Sequence, residues 1–462
     1  MLTLLLPLAL VALQDRAPSA AGPDAIAARG AGLSVTVAEV DALLVDRHAL
    51  SPTGREALEV LLKSRLLDAL ARESGITVSE EDIARRWKEL DLRTRETGQA
   101  GGLAQVIAAR GLGADEFREF LRLALVQERL TRRALGMGPE EPVTEAQQEV
   151  WIGQAIAERG LERPVPPWTD GVAARCGTIV VSADEFAAFL RARLPREDVQ
   201  EACWHLLLQR GLEKRLPDLS AEARERAVQD EMERRRAKHE REFPAMTFEQ
   251  RLGALGRSLE QLQRDPSVRI AALSRLWVDR KHGEEGLRRT FEQERDLFES
   301  RYGRAADVRL LFLVAGRFVN DLVPRTFEEA ERKLEDMRTR VGDVADFEGL
   351  VVRFSEETSS RKENGQLGFL TRELPAEVPE ELRAAVFDFL DAGGEVGAEG
   401  AGIGPIRLDT GVALLWVSNV RPSPPWEVMK EHVHTELRRR LVVDLMPTGA
   451  MEVLLFAEDP VR

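Results

Sequence analysis

The side chains best placed to do chemistry gather in one stretch, RFSEETSSRKENGQLGF, residues 353 to 369. Ser355, Ser359 and Ser360 bring hydroxyls that both donate and accept, and Glu356 and Glu357 bring two carboxylates beside them. Such a cluster can grip a polar group or move a proton. Adjacent loop acids are just as often plain exposed residues, so the pair alone defines no reaction. Elsewhere the chemistry is thin. His432 and His434 stand two apart, so a helix turns them to different faces and they cannot share a metal, which favours surface residues. The run EMERRRAKHERE (231–242) mixes both signs and reads as a solvated helix face. There is no Gly-rich phosphate loop, Gly-x-Ser-x-Gly elbow or Cys/His metal spacing. No cofactor and no metal are expected.

The elements that must position this loop belong to a chain of 462 residues, 44% hydrophobic, enough for two or more cored domains. A formal net charge of −14 argues against nucleic acid as a partner, since phosphate contacts need a basic surface. The apolar run Leu2 to Leu13 is shorter than the roughly 20 residues of a spanning helix. It reads as a signal-peptide core in residues 1–21, with Ser19, Ala20 and Ala21 for cleavage, or else as an uncleaved anchor. No Lys or Arg precedes it. Export to the periplasm or cell envelope follows. Cys176 and Cys203 either form one bridge or serve as small buried hydrophobes, and Cys203 lies on an apolar helix face.

A helical unit occurs twice. The segment GLSVTVAEVDALL starts β-like at Leu33 to Val37 and turns helical, and a helix with Leu58, Leu61, Leu62 and Leu66 on one face closes at Gly75. Ser79 with Asp82 three residues on signals the next helix start. The same order returns from CGTIVVSADEFAAFL onward. Leu62 and Leu207, Trp87 and Met232, Gly111 and Gly256, and Phe117 and Leu262 are each 145 positions apart. A constant offset over four helices implies duplication. The expected modules are residues 32–136 and 176–282, with a Pro- and Gly-rich linker at 137–175 and a connecting helix at 283–306. Pro266 interrupts the second copy's counterpart of the helix carrying Leu121.

From residue 307 the pattern changes. DVRLLFLVA is a buried-strand run, two helices follow, and then come the polar loop, a strand at GQLGF, the helix ELRAAVFDF and a hairpin through GVALLWV. The fold class is therefore α+β multidomain: mostly helical modules plus one α+β domain of order β-α-α-β-α-β-β at 307–421. A last amphipathic helix, expected at 422–462, closes the chain.

These residues resemble a parvulin-type peptidyl-prolyl isomerase (rotamase) domain. F-S-x-x-x-S-S followed by G-x-L-G-F carries the resemblance, with the strand VRLLFLV, the helix ending at a Gly pair and the strand GVALLWV. The helical modules resemble those of the exported SurA- and PrsA-type chaperones, in which a helix from the chain's end packs back on the chaperone module. The resemblance implies catalytic roles for Glu357 and Ser355, with an apolar substrate-binding side at Leu367, Phe369, Leu382 and Phe387. Leu and Phe at such positions are also ordinary core. Parvulins carry one His in the first strand and one in the last, and here these positions are read as Leu311 and Ala413. None of the six histidines lies between 307 and 421. The expected function is an exported chaperone that binds unfolded or nascent, proline-containing polypeptides, with isomerase activity weak or lost. An active isomerase and a structural envelope scaffold are the alternatives.

Overall fold

The computed structural model describes residues 22–456 apart from 100, 110–112, 140 and 321. The signal-peptide reading therefore lies outside the described residues. By its internal contacts the chain divides into one unit of residues 1–277 with 441–462 and a second of residues 278–440. Among the described residues no helix is long and apolar enough to cross a membrane.

The first unit opens with strands β1 (Ile26–Gly30) and β2 (Leu33–Thr36) and helices α1 (Val37–His48), α2 (Pro52–Ser74), α3 (Glu80–Glu96), α4 (Gly102–Ala108) and α5 (Ala114–Ala134). Next come α6 (Glu145–Arg159) and β3 (Leu161–Glu162). Then the opening order returns: β4 (Val172–Cys176), β5 (Ile179–Ser182), α7 (Ala183–Arg193), α8 (Arg196–Arg215), α9 (Ala221–Glu242), α10 (Phe248–Ala254) and α11 (Leu259–Arg264). Helix α12 (Pro266–Gln293) contains a non-helical Gly283. Ser79 and Asp82 form the expected reciprocal cap of α3, and Gly75 closes α2 in the left-handed region.

Both hairpins start earlier than the sequence reading placed them. IAARG in β1 and VAARC in β4 are near-copies, 146 apart, each with a bulge at its second residue. The stretch read as linker holds α6, β3 and most of β4. The apolar pattern of these strands is two residues of Ala wide, too slight to show a strand in isolation.

The halves pack on each other rather than side by side. A single core takes Ala27, Val40, Leu44 and Leu62 from the first copy and Ala173, Phe186, Leu190 and Leu207 from the second. Arg65 of α2 pairs with Glu185 at the start of α7, while Arg210 of α8 pairs with Glu39 at the start of α1. These two ion pairs correspond to each other, Arg65 with Arg210 at an offset of 145 and Glu39 with Glu185 at the 146 of the hairpins. Each copy also has a satellite core. Ile83, Leu103, Ile107 and Phe117 build one, and their counterparts Val228, Phe248, Leu252 and Leu262 build the other. Cys176 and Cys203 are free and fully buried in the shared core, and burial pushes the Cys203 thiol up to about 12.

The second unit adds α13 (Arg295–Tyr302), β6 (Ala305–Val314), α14 (Phe327–Arg338), α15 (Val344–Phe354), α16 (Thr358–Arg361), β7 (Gln366–Leu370), α17 (Glu380–Asp391), β8 (Ala401–Leu408) and β9 (Gly411–Arg421). Its antiparallel sheet has the order β7-β6-β9-β8. One face is covered through Leu382, Val386 and Phe387 of α17, the other through Leu334 of α14 and Phe347 of α15. Helix α18 (Trp426–Leu445) leads to β10 (Met451–Val453), which pairs with β1. His434 of α18 is buried, against the surface position expected of it, with Nε2 3.1 Å from Asp279. His432 stacks on Tyr302.

One buried carboxylate holds the satellite of the second copy to α1. Asp265 is 1% exposed and accepts from Arg47 Nε at 2.9 Å, from Arg257 at 2.7 Å and from the Ser267 N–H at 2.8 Å. Burial opposes its charge, but these partners hold its carboxyl far below the usual carboxylate range. Asp265→Asn is expected to destabilise the first unit by about 3 kcal/mol, because two guanidinium groups lose their counter-charge. A depressed folded pKa means the stabilisation is full above the ordinary carboxylate pKa and fades as pH falls through the folded value. The gap between wild type and variant in denaturant midpoint should hold from pH 7 to about pH 4 and close only below that.

Candidate functional site

The site rests on two central strands. Residues directly opposite in an antiparallel ladder share a face, and successive residues alternate. β6 and β9 pair Leu311 with Leu414 and Phe312 with Ala413. Leu311, Leu313, Val412 and Leu414 face α14 and α15. Leu310, Ala413 and Leu415 face α17, and Phe312 packs half-buried against that same face. Leu311 and Ala413, expected to stand together, therefore point to opposite faces. The residue opposite Ala413 is Phe312. A shift of one position reverses a strand's faces, and the run Leu310-Leu-Phe-Leu313 has no polar alternation to mark which residue points where.

The polar loop continues the sheet. Leu310 N–H donates to Gly365 O at 2.8 Å, where β7 ends its pairing. Beyond that point Phe312 N–H donates to Ser355 Oγ at 3.2 Å, Glu356 N–H donates to Phe312 O at 2.8 Å, and Val314 N–H donates to Glu356 Oε2 at 2.7 Å. Ser355 is fully buried, and its hydroxyl satisfies a strand N–H. Glu357, the other catalytic candidate, caps α16: its carboxylate accepts from Ser359 N–H at 2.9 Å and Ser360 N–H at 2.6 Å. Burial works against its charge, and these hydrogen bonds hold its carboxyl below the usual range. Glu356 is gripped by Arg325 through both oxygens, at 2.6 and 2.7 Å, and that guanidinium lowers its pKa.

Of the four expected substrate-binding side chains, Leu382 and Phe387 are each 1% exposed and belong to the core. They support the face without reaching its surface. Leu367 is half-buried on the α17 face. Phe369 is half-buried with the Arg421 guanidinium 3.5 Å from its ring centre. Phe312, Ile406 and Leu408 are also half-buried against the core of the α17 face and absent from the sequence reading. Leu408 also lines a cleft of 520 Å³ with Phe327, Arg317, Arg407 and Glu328. Nothing near the loop marks Ile406 and Leu408, since β8 brings them in from 37 and 39 positions beyond Phe369.

The arrangement can hold an apolar ring. It has no imidazole to polarise an amide, because residues 305–421 contain no histidine. Gly365 is needed for the geometry: its φ is +83°, and a Cβ would lie 2.6 Å from Leu310 O. Gly365→Ala is expected to cost about 2 kcal/mol or more through strain and displacement of the loop. The check is a lowered denaturation midpoint of the second unit, read by near-ultraviolet circular dichroism.

Residues 319–417 match the family profile described as Rotamase: PPIC-type PPIASE domain. Among solved structures, the chain is similar to the foldase protein PrsA from Streptococcus pneumoniae, at 15% identity over 59% of this chain and 90% of that one, with a TM-score of 0.27. It is similar, at 13% identity over 59% and 93% of the two chains and a TM-score of 0.24, to a structure of PEB4 and Cj1289, described as SurA-like chaperones in Campylobacter jejuni. A PpiC-type peptidyl-prolyl cis-trans isomerase domain is 22% identical over 27% of this chain and 96% of that one, with a TM-score of 0.19. No curated protein matches the chain. The match to the PPIC-type PPIASE domain thus covers α14 to β9 of the second unit, including the polar loop and three of the four strands of its sheet.

Proposed function

We propose that this protein holds unfolded or proline-containing polypeptide segments as a chaperone of the exported type, with prolyl isomerase activity weak or lost. The observation that carries this reading is the Phe312–Ala413 pair. An isomerase must stabilise a twisted amide against an intrinsic barrier of about 18–20 kcal/mol. It needs polar groups aimed at that amide. Here the two central strands present a phenyl ring and a methyl group to the α17 face, while Ser355 and Glu356 are engaged by β6 and Glu357 by α16. The apolar face keeps the means to bind a proline ring.

The binding role is further supported by the half-buried apolar group Phe312, Leu367, Ile406 and Leu408, and by exposed Phe318 and Leu322 in the loop after β6 (76% and 87% exposed). The apolar run Leu2–Leu13 supports export. The unfolded and nascent polypeptides of an exported pathway are the partners this reading assigns.

A second reading, an active isomerase built on Glu357, has one observation in its favour: the carboxyl is held charged at the loop. The two are separated by a proline-peptide isomerisation assay on the full mature chain beside suppression of aggregation of a denatured protein. The expected result is no acceleration above the uncatalysed rate together with clear suppression. Phe312→His with Ala413→His should raise kcat/KM at least about tenfold, roughly 1.4 kcal/mol of barrier. Turnover by the wild type that is lost in Glu357→Gln would overturn the first reading and establish the second. Failure to suppress aggregation would remove the chaperone role.

A further inference from the structure

Two of the six histidines, His48 and His205, stand at one junction, where the end of α1 meets α8 and the turn between α11 and α12. Three contacts dock α10 and α11 there. Gln261 Nε2 donates to Asp46 O at 3.1 Å, Arg47 holds Asp265, and Gly256 lies so close to α1 that a Cβ would come 2.7 Å from Leu50 O. The duplication builds a second junction of the same kind, α7 on α2. Its counterparts of His48, His205 and Asp265 are Leu194, Val60 and Phe120. One junction is therefore apolar where the other carries two titratable rings and a buried carboxylate.

His205 sits edge-on to Trp204, with ring centres 5.1 Å apart. Its Nδ1 lies 3.2 Å from Arg47 Nη2 and 3.4 Å from Glu201 Oε1. A guanidinium only donates, so Nδ1 accepts and the ring is neutral, with its proton on Nε2. The same Nη2 donates to Asp265 Oδ1 at 3.2 Å. One guanidinium thus serves both the ring and the buried carboxylate. A proton on Nδ1 would set donor against donor at Arg47, and Glu201 is the acceptor within its reach. The other charges of the junction are Arg257, paired with Asp265, Arg264, paired with Asp46, and Asp198 and Glu260. Burial lowers the pKa of His205; Arg47 adds to this, while Glu201 and Asp265 oppose it. Burial lowers that of His48 as well, opposed by Asp198 and Glu201 and aided by Arg47 and Arg257.

We infer that this junction is an acid-sensitive latch: when His205 takes up a proton, Nδ1 exchanges its bond from Arg47 for one to Glu201, Arg47 is pushed off Asp265, and α10 and α11 loosen from the end of α1. A lowered folded pKa means that the closed junction favours the neutral ring. Closure is therefore full above the ordinary histidine value of about 6.5 and weakens as pH falls below it. A single proton weakens closure by at most about tenfold for each pH unit. Asp265, held far below the usual carboxylate range, keeps its charge throughout, so the response belongs to the ring. The α7–α2 junction, with Val60 and Leu194, has no such response. The latch stands independently of what the protein binds.

The test is amide hydrogen exchange of α10 and α11 in the full chain, read by mass spectrometry and corrected for the intrinsic effect of pH on exchange. Between about pH 7.5 and about pH 5.5 protection there should fall roughly three- to tenfold, while α4 in the first copy keeps its own. His205→Asn offers a carbonyl oxygen near the place of Nδ1 and takes up no proton, so its protection should stay flat. Glu201→Gln, at a side chain 58% exposed, removes the anion that receives the charged ring. It should leave protection at about pH 7.5 unchanged and deepen the loss at about pH 5.5 roughly twofold. His48→Gln should keep most of the response. Wild-type protection that does not change with pH overturns the latch. So does a full loss in His205→Asn, or a loss abolished by His48→Gln instead. Where His205→Asn is already loose at about pH 7.5, Glu201→Gln decides, and a loss equal to that of the wild type overturns the proposal.

Discussion

In an antiparallel ladder the register of two strands decides which side chains can act together, and in this protein the whole functional argument hangs on the pairing of β6 with β9. With Phe312 opposite Ala413, the α17 face carries a ring and a methyl group at the point where a polar pair would have to stand. With the register one residue away, the same strands would have set Leu311 there. Both sequences of contacts are apolar, yet only the first leaves a half-buried aromatic at the rim of the face. The strands hold that register because both faces are buried, one under α17 and one under α14 and α15, so a slip would exchange two complete sets of core side chains.

The helical unit depends on an analogous constraint. Each copy's long helix meets the other copy's first helix through a matched ion pair, Arg65 with Glu185 and Arg210 with Glu39. Ion pairs of this exposure contribute little by themselves. Their value is as markers of a common geometry, while the energy comes from the shared core, where each fully buried Phe or Leu is worth about 1.5–3 kcal/mol. Neither hairpin could bury its Ala pair alone. β10, from the far end of the chain, pairs with β1 as β3 pairs with β4. The duplication thus extends to the strand that completes each sheet.

Much of this was legible in the chain, for identifiable reasons. The long helices are written in Leu spacing and caps, and Ser79–Asp82 and Gly75 mark their ends as the structure has them. The α+β order was readable because GQLGF and the final hairpin carry turn glycines between apolar runs. The two early strands were not readable, since Ala-Ala in each gives no alternation and the partner strand of β1 lies over 400 positions away. Phe312 was missed because four consecutive apolar residues do not announce a face. Leu382 and Phe387 fit both a substrate-binding side and ordinary core in the sequence, because apolar residues near a loop look alike whether they line a site or support it, and only burial separates the two.

The persistence of the F-S-E-E-T-S-S loop beside a face without histidine now has a physical account that needs no catalysis. Ser355 satisfies the Phe312 N–H, Glu356 satisfies the Val314 N–H and neutralises Arg325, and Glu357 caps α16. Ser355 and Glu356 close backbone donors of β6 beyond the end of β7, and Glu357 closes two of α16, at a cost of about 1–3 kcal/mol apiece if left open. Gly365 is needed because no Cβ fits against Leu310 O. A loop that holds a central strand in this way serves the folding of the domain, independently of any chemistry on the α17 face. The signature therefore reports the fold, and activity has to be judged from the side chains of the α17 face alone.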